Sequence, residues 1–280
     1  MPGHRRAQRP RATRPNAAIV IIPDAYCSSW HYEPLAASCR ALGSEVVVVQ
    51  NPSTSGPAGG SGAGMPAPGL GDDAANARLT IEGLVHQGKD ILVVAHSYGA
   101  VVASECASGL GREELMGVCR GGILRMLFIA GIVPWEGQSV DGAMGGLLGT
   151  GPPDGVVDGF MHHSQEKLAQ CMYSSVPFEQ GLWHAATTNT AQSARAFQGR
   201  LTHAGYRRIP VTYMLTEADR MVPAAMQEMF IGIVEAEAGR AVSVVRYPVD
   251  HCPEVTEIGA VVDCVLRAAG EAGGPNCTWL

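Results

Sequence analysis

The stretch Ile-Leu-Val-Val-Ala-His-Ser-Tyr-Gly-Ala-Val-Val-Ala-Ser, residues 91 to 104, decides the fold. Ile91 to Ala95 is a short apolar run rich in β-branched residues, the pattern of a buried strand. Ala100 to Cys106 is small, largely apolar and without Gly or Pro, so the strand is expected to turn straight into a helix. Ser97 stands on that turn. A reversal so sharp tolerates only small neighbours, which Ala95 and Gly99 supply on either side. This is the G-x-S-x-G nucleophile elbow with Ala in its first position. Its geometry lifts a serine hydroxyl above the carboxyl end of a sheet, while the Tyr98 N–H at the helix N-terminus faces a developing oxyanion. His96 fills an x position and is not the expected base, because neighbours on a tight turn point apart. A serine N-cap would be the bland alternative. The strand before it, the helix after it and downstream partners in the order Ser, acid, His favour the nucleophile.

Working outward towards the N-terminus, Ala17 to Ile22 is a continuous apolar run that ends at Pro23, as expected of a parallel strand covered on both faces. Its exit loop, Pro23-Asp24-Ala25-Tyr26, would lie beside the elbow in a doubly wound sheet. The Ala25 N–H is the expected second oxyanion donor. A helix from Trp30 to Leu42 and a strand from Glu45 to Gln50 follow. Residues 51 to 71 are dominated by Gly, Pro, Ser and Ala, a composition that predicts a mobile loop. Asp72 and Asp73 are expected to cap a helix that runs to about Gln87.

Beyond the elbow, Ile123 to Ala130 reads as another buried strand. Regular alternation then stops, and residues 138 to 205 read as an inserted helical cap that roofs the serine. Trp135, Trp183 and Tyr206, with Asp24 and Tyr26, are the expected substrate-binding residues. The His162-His163 pair has no Cys, Asp or Glu cluster nearby at ligand spacing, so no metal site is expected there. Alternation resumes with a strand from Pro210 to Leu215, a helix from Pro223 to about Glu237, a strand from Ala241 to Tyr247 and a closing helix from Pro253 to Ala269. The fold class is therefore α/β, a doubly wound, mostly parallel six-stranded sheet.

Three chemistry-bearing residues fall on three loops at the carboxyl ends of strands: Ser97, Asp219 and His251. A serine is a weak nucleophile until a base takes its proton, imidazole suits that task near neutrality, and a carboxylate fixes the imidazole tautomer. Glu217 rivals Asp219 as the acid. Asp250 is a weaker rival, since a residue adjacent to the histidine rarely reaches round to its ring.

On these motifs, Pro23-Asp24-Ala25-Tyr26 with Trp30-His31-Tyr32-Glu33-Pro34-Leu35, the elbow Ala95 to Gly99, Glu217-Ala218-Asp219-Arg220 with Pro223, and His251-Cys252-Pro253, the chain resembles the α/β-hydrolase superfamily over roughly residues 17 to 270. The branch it is most similar to holds small esterase-like proteins, plant methylesterases and hydroxynitrile lyases, with fungal relatives. The resemblance implies Ser97 as nucleophile, His251 as base, Asp219 as acid, and Ala25 and Tyr98 N–H groups as the oxyanion hole. Asp24 replaces the usual Gly of that loop, and a carboxylate pointing inward there would weaken anion stabilisation. Zearalenone-type lactonases have a similar Pro-Asp-small loop, so the change is compatible with hydrolysis. The N-terminal strand pair of larger members is expected to be lacking.

Composition bounds the rest. A chain of 280 residues, 46% hydrophobic and 16% charged, has ample material for a large core. Residues 17–137 and 206–270 are assigned to the core, 138–205 to the cap, and 1–16 and 271–280 to tails, the first basic and disordered. A net charge of −6 offers no field for nucleic acid, and no apolar run reaches membrane-spanning length. Eight scattered cysteines without a C-x-x-C pair, and no hydrophobic leader, read as reduced thiols in a cytoplasmic protein. The expected partner is a small molecule, with no nucleic acid and no membrane; a homodimer is compatible with the chain. No cofactor is expected. The leading expectation is a serine hydrolase cleaving an ester or lactone of an apolar small molecule through an acyl-enzyme on Ser97. The alternative is a lyase or cyclase in which Ser97 and His251 only move protons.

Overall fold

The computed structural model describes residues 17–54, 66–145, 149–188 and 191–272. The two expected tails, apart from residues 271 and 272, and the middle of the Gly/Pro-rich segment, 55–65, lie outside the described residues. Chain order runs β1 (Ala17–Ile22), α1 (Glu33–Ala41), β2 (Glu45–Val48), α2 (Leu70–His86), β3 (Asp90–His96), α3 (Gly99–Cys106) and β4 (Gly122–Ile129). After an excursion described below, the pattern returns with β8 (Val211–Thr216), α8 (Ala224–Ala238), β9 (Ser243–Tyr247), α9 (Pro253–Thr256) and α10 (Ile258–Ala272). The six core strands form one sheet in the order β2-β1-β3-β4-β8-β9, and every pairing is parallel.

The apolar runs explain this order. β1, β8 and all but the first residue of β3 are buried throughout, whereas edge strands β2 and β9 are partly exposed. A strand covered on both faces needs a continuous apolar run, and the edges do not. β1 and β4 flank the elbow strand β3 in the interior of the sheet, so the exit loops of β1 and β3 meet at its carboxyl edge. Right-handed crossovers then put α1 on one face and α2 and α3 on the other.

Several expected boundaries move. The Trp30–Leu42 helix is a 3-10 turn over Ser29–Tyr32 followed by α1. The closing helix breaks at Glu257, whose φ of −145° is not helical, so two helices replace one. α2 begins at Leu70, ahead of both aspartates, which corrects the capping expectation. Asp72 Oδ2 accepts the Gly69 N–H at 2.7 Å, as a cap should, but Asp73 is fully buried and turned inward. The described start of the 51–71 segment is packed: Asn51, Ser53 and Thr54 are buried, in part within a 3-10 turn over Pro52–Thr54.

The excursion between β4 and β8 contains α4 (Val140–Met144), β5 (Gly155–Val157), β6 (Phe160–His162), α5 (Gln165–Met172), α6 (Phe178–Thr188), β7 (Gln192–Ser193) and α7 (Ala194–Gln198). The expectation was helical; the structure adds an antiparallel sheet ordered β5-β6-β7. Single polar and apolar residues alternate too briefly there for the period to register in sequence.

Candidate active site

Ser97 takes a φ of +49°, the left-handed region that a side chain enters only when its surroundings hold it there. Two long-range bonds do so: the Ser97 N–H donates to Ile129 O at the end of β4, and the Ile132 N–H donates to Ser97 O. Gly99 is dictated by approach. A Cβ there would stand 2.4 Å from Ile22 O and 2.7 Å from Pro23 O, so α3 could not start this close to the end of β1 with any other residue.

The expected acid and base meet across 32 residues of sequence. His251 Nδ1–H donates to Asp219 Oδ2 at 2.7 Å, and both side chains are fully buried. Asp219 also accepts the Met221 and Val222 N–H groups at 2.8 and 2.9 Å and the Thr216 hydroxyl at 2.9 Å. So many donors hold the carboxylate in one orientation. The rivals are elsewhere. Glu217 is exposed and pairs with Arg246, while Asp250 faces away, accepting from Ser175 and Thr256.

The β1 exit loop changes the picture that the triad alone would suggest. Asp24 Oδ1 accepts the Ala25 N–H at 2.6 Å and the Tyr98 N–H at 3.2 Å. The two expected oxyanion donors therefore do converge on one point, and an oxygen atom of the protein itself occupies it. Asp24 Oδ2 accepts His251 Nε2–H at 3.1 Å, the ring nitrogen a serine hydroxyl would need. Burial pushes the Asp24 carboxyl up, but the hydrogen bond and charge of His251, with His96 and the Ser97 hydroxyl, outweigh it and hold it below the usual range. For His251 burial favours the neutral ring; Asp219 and then Asp24 overcome that and raise it well above an ordinary histidine. His251 thus lies between two carboxylates, one of which also accepts the Ala25 and Tyr98 N–H groups.

His96 has a structural task. Tyr32 accepts the Asp24 N–H at 2.9 Å and donates its hydroxyl proton to His96 Nδ1 at 2.7 Å, which leaves His96 Nε2–H to donate to His251 O at 2.7 Å. One chain of bonds thereby fixes the backbones of Asp24 and His251 together. Behind it, His31 Nε2–H donates to Glu254 Oε1 at 2.9 Å in a pair of fully buried side chains. Asp24, His96 and His251, and separately His31, Cys252 and Glu254, bring ligand-type atoms close enough to share a cation. A metal in the first set would displace hydrogen bonds that each of those side chains already makes. Among the described residues, His31 Nδ1 and Glu254 Oε2 in the second set have no hydrogen-bond partner.

Above Tyr26 lies a cavity of about 270 Å³, lined by Asp141, Pro152, Met161, His163 and Phe197 among others. The rings of His163 and Phe197 pack on Tyr26 at centroid distances of 5.2 and 6.4 Å, and Phe197 also meets Tyr98 at 5.7 Å. Phe197, in the excursion between β4 and β8, thus packs on Tyr98 of the elbow. Of the expected substrate-binding residues, Asp24 and Tyr26 are at the site, but Trp135, Trp183 and Tyr206 do not line this cavity. Tyr206 is a core residue, fully buried with its hydroxyl donated to Pro134 O. Trp135 and Trp183 are exposed, Trp183 against His184. Bulk and aromaticity alone could not separate a core ring from a pocket ring. His163 and Phe197 were missed for the same reason.

Comparison with known proteins accords with this architecture. The sequence matches the Alpha/beta hydrolase family over residues 19–263, and the chain belongs to that family. Among curated proteins it is 28% identical to the probable hydrolase R7 of a Phoma species, over 90% of this chain and 98% of the relative. It is 27% identical to the alpha/beta hydrolase nvfD of Aspergillus novofumigatus, over 91% and 97% of the two chains. The fold is also that of an extracellular alpha/beta-hydrolase from a Paenibacillus species, with a TM-score of 0.70 at 15% identity, covering 90% of this chain and 98% of that one. Tomato methylketone synthase I gives 0.69 at 15% identity, covering 92% and 99%. Among the described residues no helix is long and apolar enough to cross a membrane.

Proposed function

We propose that this protein is a serine hydrolase that cleaves an ester or lactone bond of an apolar small molecule through an acyl-enzyme on Ser97. The observation that carries the reading is the strained Ser97 elbow beside a buried His251–Asp219 pair at 2.7 Å, with two backbone N–H groups converging on one point. In the reaction the substrate carbonyl oxygen takes the place of Asp24 Oδ1. Loss of the Asp24 contact lowers the basicity of His251, which gives up its Nε2 proton to water, so that the neutral ring can accept the Ser97 hydroxyl proton as Oγ attacks the carbonyl carbon. Ala25 and Tyr98 N–H groups hold the resulting oxyanion. The His251 proton passes to the leaving alcohol, and water completes the cycle. Met161, Phe197, Pro152 and Pro153 give the cavity above Tyr26 an apolar wall, which supports an apolar acyl or alcohol portion. In this reading residues 138–205 act as a cap.

A second reading is favoured by the position of Asp24. With the anion hole filled by a carboxylate and His251 held as a cation, the pair is already an acid beside a base, suited to a lyase or cyclase that shuttles protons without an acyl-enzyme. A fluorophosphonate probe decides between the two. Covalent addition to Ser97 by intact-protein mass spectrometry, with turnover of short p-nitrophenyl esters, is the expected result. Well-folded protein that takes no label and leaves esters untouched would overturn the hydrolase reading in favour of the second.

A further inference from the structure

A second carboxylate, Asp73, lies under the same site and has no part in the chemistry described above. It is wholly buried near the start of α2, and three donors converge on it: Ser53 N–H at 2.8 Å on Oδ1, and the Ser53 and Tyr98 hydroxyls at 2.5 and 2.6 Å on Oδ2. Ser53 Oγ in turn accepts Gln192 Nε2–H at 2.9 Å, and Gln192 Oε1 accepts the Tyr26 N–H at 3.1 Å. Five separate pieces of chain are tied by this one buried network: α2, the 3-10 turn at 52–54, the elbow, strand β7 and the β1 exit loop.

Both ends of this chain of bonds are adjacent to an oxyanion donor. Tyr98 is itself one donor, and its side chain is anchored at the hydroxyl. Tyr26 follows Ala25, the other donor, and sits at a φ of +60°, a strained conformation for a non-glycine residue that needs an outside restraint. Gln192 Oε1, bonded to the Tyr26 N–H, is that restraint. Helix packing alone has no use for a buried carboxylate, since an apolar side chain would fill the space without losing hydration. Burial pushes Asp73 up to about 6 against the opposing pull of Ser53 and Tyr98, with Asp72 adding to the rise, so at neutral pH it remains the anion that accepts all three bonds.

We propose that Asp73 is a positioning residue that aligns both oxyanion donors at once, Tyr98 directly and Ala25 through Ser53, Gln192 and the Tyr26 N–H. The kinetic arm of the proposal rests on the hydrolase reading; the alignment itself does not.

The test uses Tyr98→Phe, Gln192→Leu and Asp73→Asn in the full chain, each read by two measurements. In hydrogen exchange with fragment resolution, Tyr98→Phe should speed exchange of the elbow fragment that holds the residue-98 amide, Gln192→Leu that of the Ala25–Tyr26 segment, and Asp73→Asn both, by about tenfold or more. In ester turnover and phosphonate labelling, each variant should lower kcat about tenfold or more with KM within about threefold, because a displaced oxyanion donor acts on the transition state rather than on substrate binding. A purely structural role would instead lower the melting temperature and loosen the fold without this local pattern. Folded variants whose exchange at Ala25, Tyr26 and Tyr98 matches the parent would overturn the proposal. Should the parent protein take no label, the hydrolase reading falls and the exchange pattern alone decides the positioning role. Should Asp73→Asn fail to fold, Tyr98→Phe and Gln192→Leu carry the same contrast from the two ends.

Discussion

Asp24→Ala should make the protein react faster with a fluorophosphonate, the reverse of what removing a site carboxylate usually does. In the resting structure Asp24 accepts two backbone N–H groups and the protonated Nε2 of His251, at 2.6, 3.2 and 3.1 Å. Hydrogen bonds involving an ionised partner contribute about 1.5 to 3 kcal/mol each, net. A carboxylate that swings out recovers hydration and part of that energy, so the barrier to displacing it is on the order of one such bond, about 1.5 to 3 kcal/mol. At about 1.4 kcal/mol per decade, the variant should label about 10- to 150-fold faster. The Ala variant keeps the Cβ, so the loop gains little of the freedom that glycine would add. Asp24→Asn supplies the control. Its amide oxygen can still occupy the hole without charge, so labelling should fall between the parent and Asp24→Ala. Removing Asp24 also removes one of the two anions that hold His251 cationic. The neutral ring needed as base should then persist to lower pH, and the acid limb of kcat/KM should move down. The assay is the second-order inactivation rate by mass spectrometry from pH 5.5 to 9, with thermal melts to confirm folding. Equal or slower labelling by well-folded Asp24→Ala would refute the argument and mark Asp24 as a participant in the chemistry rather than an occupant of the hole.

Ser97→Ala and His251→Ala should each lower turnover by about 10⁴- to 10⁶-fold, as residues that act as a unit do; Ser97→Ala should leave the melting temperature unchanged, whereas His251→Ala should lower it, because Asp219 and Asp24 lose their shared donor. Asp219→Asn should be far more damaging than Glu217→Gln, since only Asp219 touches His251 while Glu217 is exposed; steady-state kinetics on the pair checks this, and the reverse order would move the acid role. His31→Leu should leave the buried Glu254 carboxylate without its hydrogen-bond donor, at about 3 to 5 kcal/mol, and lower the melting temperature by about 6 °C or more in a chain of this size.

The elbow was legible because its causes are local. A β-branched run, two small residues around a serine and a small-residue helix leave the backbone little choice, and Gly99 is required by its contacts with the end of β1. The order of Ser97, Asp219 and His251 was equally readable, since each follows its own apolar strand. A carboxyl-end loop is the one place such a residue can reach its partners in a parallel sheet. Asp219 is preferred to Glu217 by its place between strand and helix and to Asp250 because a neighbour of the histidine rarely reaches its ring; a single hydrogen bond joins Asp219 to His251.

Other features depended on contacts between residues far apart in sequence. Asp72 and Asp73 are neighbours of one type at the head of one helix, yet one caps Gly69 and the other is buried 20 residues from Ser53 and 25 from Tyr98. A helix turns successive residues by about 100°, so which of the two faces the core is set by how α2 packs. Gln192 lay in a stretch without period, and its partners Tyr26 and Ser53 are more than 130 residues away. Tyr206 and Phe197 look alike as isolated aromatics, and only packing sent one to the core and the other over the elbow. Asp24 is the sharpest case. Its place beside the Ala25 and Tyr98 N–H groups was determined by the sequence, through the strand that ends at Pro23. Whether its carboxylate faced solvent or the hole was a side-chain rotation, decided by His251 from 227 residues downstream and by two N–H groups that converge only when β1 and β3 lie side by side.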